Sequence, residues 1–155
     1  LFAKLMGNCL EKAGGIDSKA FEGRLIFGSK VCLECSNIKF DKQYSGINFG
    51  DLRKYLEEND VPGKKDKKYI DFFTKDEGHK KKWVEYEIKD NNDNPIPLIP
   101  GKYENSIKGD EVYTVFFLGL KTGEVSRATG ISQDTYFVYV ATQEDFNKVC
   151  DKKVN

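Results

Sequence analysis

The sequence predicts an α+β fold: a single compact domain in which an N-terminal amphipathic helix and short helices pack on a mostly antiparallel sheet. Three observations lead there. Apolar residues recur at helical spacing over the first thirteen positions, they alternate or run continuously at strand spacing through the second half, and 39% of the 155 residues are hydrophobic, which suits one core and is short for two.

The elements follow in chain order. Phe2, Leu5, Met6, Cys9, Leu10 and Ala13 fall on one stripe of a helix, and Gly14-Gly15 ends it, because glycine readily takes the left-handed conformation that closes a last helical turn. Leu25-Ile26-Phe27, Val31-Cys32-Leu33 and Ile38-Lys39-Phe40, separated by Gly28-Ser29 and Ser36-Asn37, read as short strands joined by tight turns. A second helix follows, capped by Asp51, with Leu52, Tyr55 and Leu56 as its apolar face and Asn59 and Pro62-Gly63 as its stop. These make up a helix-rich and short-strand part, residues 1–63.

From Tyr69 the pattern turns to strand. Tyr69 to Thr74 and Trp83 to Lys89 read as strands, and if they pair it is across a turn at Lys75-Asp76-Glu77-Gly78. Asp90 to Pro95 is dense in turn residues, and Ile96 to Gly101 is extended, as an edge or a loop, since its prolines cannot donate to a ladder. Glu111 to Leu120 and Thr135 to Ala141 are too continuously apolar to face water and are expected at the sheet centre. This β-rich part covers 69–141. A C-terminal helix over 142–150 is capped by Thr142, with Asp145 in the capping-box position. No repeat or linker divides residues 1–155.

Twenty-five basic residues balance 25 acidic ones, so the net positive charge that most phosphate-backbone binders use is missing and nucleic acid is an unlikely partner. No apolar run approaches the roughly 18 residues that span a bilayer. Cys9, Cys32, Cys35 and Cys150 form an even set, as disulfides require, and a start at Leu1 fits a processed or a trimmed N-terminus. The expected compartment is secreted or periplasmic, and the Lys, Asn, Ile and Tyr bias fits a microbial source.

Cys32-Leu33-Glu34-Cys35 has the spacing with which two thiolates point at one zinc ion, although two Cys residues in one straight strand would face opposite sides. Cys9 with His79, the sole histidine, is the only thiol–imidazole pairing available to a thiol-dependent hydrolase. Asp90, Asn92 and Asn94 imitate the start of a calcium loop, but Pro95 replaces its glycine and Gly101 its glutamate. With no glycine-rich phosphate loop, no G-x-S-x-G and no H-E-x-x-H, no cofactor is expected. Between Lys64 and Lys89 nine lysines face six acids, with aromatic residues interleaved, so Lys64, Lys65, Tyr69, His79, Lys80 and Trp83 are the expected partner-binding residues.

The order Ala3, Met6, Leu10, Ala13, Gly14, then Asp51 to Leu56, then Gly78-His79 and Trp83 resembles that of the type VI secretion amidase effectors, papain-like peptidoglycan hydrolases. The resemblance covers about half the chain. That family has its nucleophilic Cys where Phe2 stands here, and a strand where Lys80-Lys81-Lys82 follow His79. It therefore implies a shape without that nucleophile, and a cell-wall hydrolase alternative would rest on Cys9 and His79. The leading expectation is an exported, non-enzymatic effector-like module that binds a protein partner through an exposed sheet edge and the Lys/aromatic surface. A small structural zinc domain through Cys32 and Cys35 is the remaining alternative.

Overall fold

A computed structural model describes residues 1–16, 21, 25, 29–48, 50–102, 106–122 and 133–154. Helix α1 (Phe2–Ala13) leads into strand β1 (Lys30–Lys39) and a short 3-10 turn at Lys42–Tyr44. Three helices follow, α2 (Gly50–Glu58), α3 (Tyr69–Phe73) and α4 (Glu77–Glu85). The chain then forms β2 (Val112–Thr122), β3 (Gln133–Thr142), α5 (Gln143–Val149) and β4 (Lys152–Val154). The class is α+β, as the periodicities require.

The four strands lie in the order β3-β2-β1-β4. Strand β2 pairs antiparallel with both neighbours, and β4 adds parallel to β1 over Val31, Cys32 and Leu33 only. Both long apolar strands are buried on each face, as expected, but β3 ends the sheet and does not sit at its centre. Phe117 stacks on Phe21 at 5.7 Å on one face, while Phe116 packs on Phe146 of α5 at 4.9 Å on the other. Gly119 is required beneath Phe21, because a Cβ there would overlap the ring.

Helix α1 buries Ala3, Met6, Cys9, Leu10 and Ala13 and closes on Gly14 at φ 92°. Thr142 accepts from the Asp145 amide and starts α5, as its spacing signals. Asp90 turns the chain through hydrogen bonds from the amides of Asn92 and Asn94.

Other expectations are corrected. Ser36-Asn37 is no turn: β1 runs unbroken for ten residues and absorbs an irregularity as a bulge between Glu34 and Ser36. Of the strand expected at Leu25 to Phe27, Leu25 is buried, and Ile26 and Phe27 lie outside the described residues. Helix α2 begins at Gly50, so Asp51 lies within it and does not precede it.

The largest correction concerns residues 69–85, which are two helices and not a hairpin. Tyr69, Ile70 and Phe73 share one buried helical face. Asp76, read as part of a turn, is the N-cap of α4, its carboxylate accepting from the His79 amide at 2.8 Å. Glu77 in the first turn and Lys82 in the last complement the helix dipole.

Candidate functional site

Helix α4 runs along the outer edge of β3 and supplies hydrogen bonds that a fifth strand would otherwise make. His79 and Trp83 stand four apart on α4, about 6 Å along a helix, while Tyr136 and Val138 stand two apart on β3, about 6.8 Å along a strand. The near match lets one helix face reach two successive outward carbonyls. His79 Nε2 donates to the Tyr136 carbonyl at 2.8 Å, and Trp83 Nε1 donates to the Val138 carbonyl at 2.8 Å. Beyond them, Ile99 and Val140 exchange both backbone hydrogen bonds, at 2.8 and 2.9 Å. The β3 edge is thus closed by a clasp, which removes a template for intermolecular strand pairing.

The clasp has buried aromatic support. Tyr139 donates its hydroxyl to the Trp83 carbonyl at 2.7 Å, and burial holds its pKa well above 10. The Trp83 ring packs on Phe73, and His79 stacks on Phe137 at 5.1 Å. His79 Nδ1 accepts from the Lys75 amide at 3.3 Å, so Nε2 carries the proton and the ring is neutral. Burial is the main cause that holds its pKa below the ordinary 6.5, and Lys75 and Lys82 act in the same direction. Where α4 meets β3, a cleft of about 350 Å3 is lined by Lys75, Asp76, His79, Lys82 and Thr135 among others.

The sulfur chemistry is fully assigned. Cys9 is bonded to Cys35, and Cys32 to Cys150. A thiol-dependent hydrolase using Cys9 and His79 is therefore overturned: Cys9 has no thiol, and both ring nitrogens of His79 are committed to the backbone. The zinc alternative at Cys32 and Cys35 fails because neither sulfur is a thiolate: Cys32 is bonded to Cys150 and Cys35 to Cys9, in different layers on the two sides of β1. Cys35 ties the sheet to α1, and Cys32 ties it to the end of α5. No group of three or more His, Cys, Asp or Glu is arranged for a metal among the described residues.

The six expected partner-binding residues divide. Tyr69, His79 and Trp83 are 6%, 9% and 0% exposed, so they belong to the interior and cannot form a contact surface in this fold. Lys80 turns back to Glu57 at 3.7 Å. Lys64 and Lys65 remain outside, on a loop between α2 and α3. That loop is well built: Val61 donates to the Lys67 carbonyl at 2.8 Å, Tyr69 to the Asn59 carbonyl at 3.0 Å, and Lys68 pairs with Asp60 at 2.7 Å. Lys64 and Lys67 hold their ammonium groups 4.1 and 5.5 Å from the centre of the half-buried Phe72 ring. Tyr55, 47% exposed, stands 6.1 Å from Tyr69.

The lysine cluster that includes Lys67 and the aromatic residues interleaved with it, Phe72 among them, were legible in the sequence; the exposure of Tyr55 and the His79–Trp83 pair as a clasp were not. The signal for the clasp was present in Asp76 and Glu77 ahead of two hydrogen-bonding rings at i and i+4. No protein-family model matches the chain, and no curated protein or solved structure is similar to it.

Two disulfides point to folding in an oxidising environment, extracellular or periplasmic. No helix among the described residues is long and apolar enough to cross a membrane.

Proposed function

We propose that the protein is an exported, non-enzymatic recognition domain of microbial origin that binds a protein partner through the lysine-capped loop between α2 and α3. The observation that carries this reading is the cation–aromatic platform, Phe72 beneath Lys64 and Lys67, with Lys65 exposed on the same loop as the two lysines. A half-buried ring under two ammonium groups offers apolar contact area with positive charge around it, which suits a partner surface bearing carboxylates around an apolar spot. The loop is pinned at its base by backbone hydrogen bonds, so little ordering entropy is lost when a partner docks.

The expected sheet-edge contribution narrows to one side. Strand β4 covers only Val31 to Leu33 of β1, and from Ser36 to Lys39 the outer side of β1 has no strand neighbour among the described residues. It is secondary to the loop, because Lys39, Lys152 and Lys153 are exposed along that edge and discourage pairing with another strand.

The test is capture of extracellular proteins on the immobilised native chain, compared with a Lys64→Glu/Lys65→Glu/Lys67→Glu variant of unchanged near-UV circular dichroism. The reading expects a partner retained by the native chain, released by moderate salt and lost with the variant. Equal retention by both proteins removes the loop as the site.

A further inference from the structure

We propose that the α4 clasp on β3 is an acid-operated latch: protonation of His79 at Nδ1 detaches α4 from the β3 edge while the disulfide-tied remainder of the sheet stays folded. This goes beyond partner binding and does not depend on it.

The neutral ring bridges β3 and the chain just ahead of α4. Nε2 donates to Tyr136 and Nδ1 accepts from Lys75, so a proton added at Nδ1 turns an acceptor into a donor that faces the Lys75 amide. One hydrogen bond is lost and an N–H is left opposite an N–H. The new cation also sits against the Phe137 ring at a residue that is 9% exposed. Of the groups facing the ring, Lys75 before α4 and Lys82 on it oppose the charge, and the N-cap carboxylate of Asp76 favours it. From the β3 side come the Tyr136 carbonyl, which favours the charge, and Thr135, which does not ionise. Burial is the largest influence, and it keeps His79 below its ordinary 6.5. Because the folded value lies below the unfolded one, the fold favours the neutral ring. That stabilisation is complete above pH 6.5 and is lost as pH falls through the folded value.

The release is local because the two sides of the sheet are held differently. Helix α4 meets β3 through the His79 and Trp83 ring donors, the Tyr139 hydroxyl and ring contacts, with no covalent tie. Strand β3 remains paired with β2 from Tyr113↔Thr142 to Thr122↔Gln133, and β1 is linked to α1 and to the end of α5 through its two disulfides. Opening the clasp withdraws the His79 and Trp83 donors from the Tyr136 and Val138 carbonyls, so this stretch of the β3 edge loses its cover only in acid.

The sole tryptophan and the sole histidine report on the two halves of the event. The oxidised full chain is titrated from about pH 8 to about pH 4, following Trp83 emission, far-UV circular dichroism and the His79 ring Cε1–H resonance. The latch predicts a red shift of Trp83 emission whose midpoint coincides with the His79 titration below pH 6.5. The far-UV signal stays largely in place, and His79→Gln, whose amide can still donate to Tyr136, shows no such emission transition. A Trp83 emission that stays constant through the His79 titration overturns the proposal, as does the same transition in His79→Gln or loss of the far-UV signal together with the emission change. Should His79→Gln fail to fold, the midpoints in the unaltered chain decide: coincidence supports the latch and separation contradicts it.

Discussion

The two edges of the sheet are closed by opposite means. At the β1–β4 edge, Cys32 is bonded to Cys150 just ahead of β4, and Cys35 to Cys9 on α1, so both faces of one strand carry a covalent tie. At the β3 edge nothing covalent is present among the described residues, and an imidazole and an indole stand in for a strand. A strand only three residues long, β4, contributes few ladder bonds and depends on the cross-link beside it, together with the Asp151 bonds to Lys30. A helix laid along an edge can instead use side-chain donors, provided their spacing matches the strand repeat. Covalent closure is indifferent to pH, whereas closure through a neutral histidine is not.

The comparison is broken most severely at the covalent edge. Cys32→Ala/Cys150→Ala removes a link across a sequence separation of 118 residues and is expected to lower unfolding stability by about 5 kcal/mol, read from denaturant midpoints. Removing Cys9–Cys35, with a separation of 26, costs about 3.5 kcal/mol by the same chain-entropy reasoning. At the clasped edge, Trp83→Phe leaves the Val138 carbonyl without its donor and a small void beside Phe73. The expected loss is about 2 kcal/mol, with faster amide exchange in α4 than in β1. Thr142→Ala removes the α5 cap and is expected to cost about 1 kcal/mol, without altering α4 exchange. Lys64→Glu/Lys65→Glu changes exposed charges at neither edge, so stability should move by no more than about 0.5 kcal/mol even where binding is lost.

The elements that the sequence makes legible are those in which local chemistry and tertiary burial agree. Helix α1 shows its stripe and its glycine stop, α5 shows Thr142 with Asp145, and β2 and β3 are apolar enough on both faces to be strands in any packing. Residues 69–85 conflict with local reading because aromatic runs such as Tyr69 to Phe73 favour strands, and Val84, Tyr86 and Ile88 then alternate like one. The helical signals, Asp76 before Glu77 and Lys82 in the last turn, are polar and short, and in the fold they go with burial of Trp83 against Phe73 across the two helices. For the site, charge was legible and burial was not: Lys64 and Lys65 lie outside as their type demands, whereas Tyr69, His79 and Trp83 interleave with lysines in sequence and turn inward in space. The pairing of the four cysteines could not be read from spacing, because the partners of Cys32 and Cys35 are set by which face of β1 each occupies.

Disulfide mapping of the unreduced chain tests the account at its root. Proteolysis under acidic, thiol-blocked conditions followed by mass spectrometry should yield one linked pair joining Cys9 to Cys35, another joining Cys32 to Cys150, and no alkylated cysteine. A Cys32–Cys35 link, or a Cys9 thiol that alkylates in the folded protein, would contradict the placement of β1 between its two layers and return reactive sulfur to the molecule.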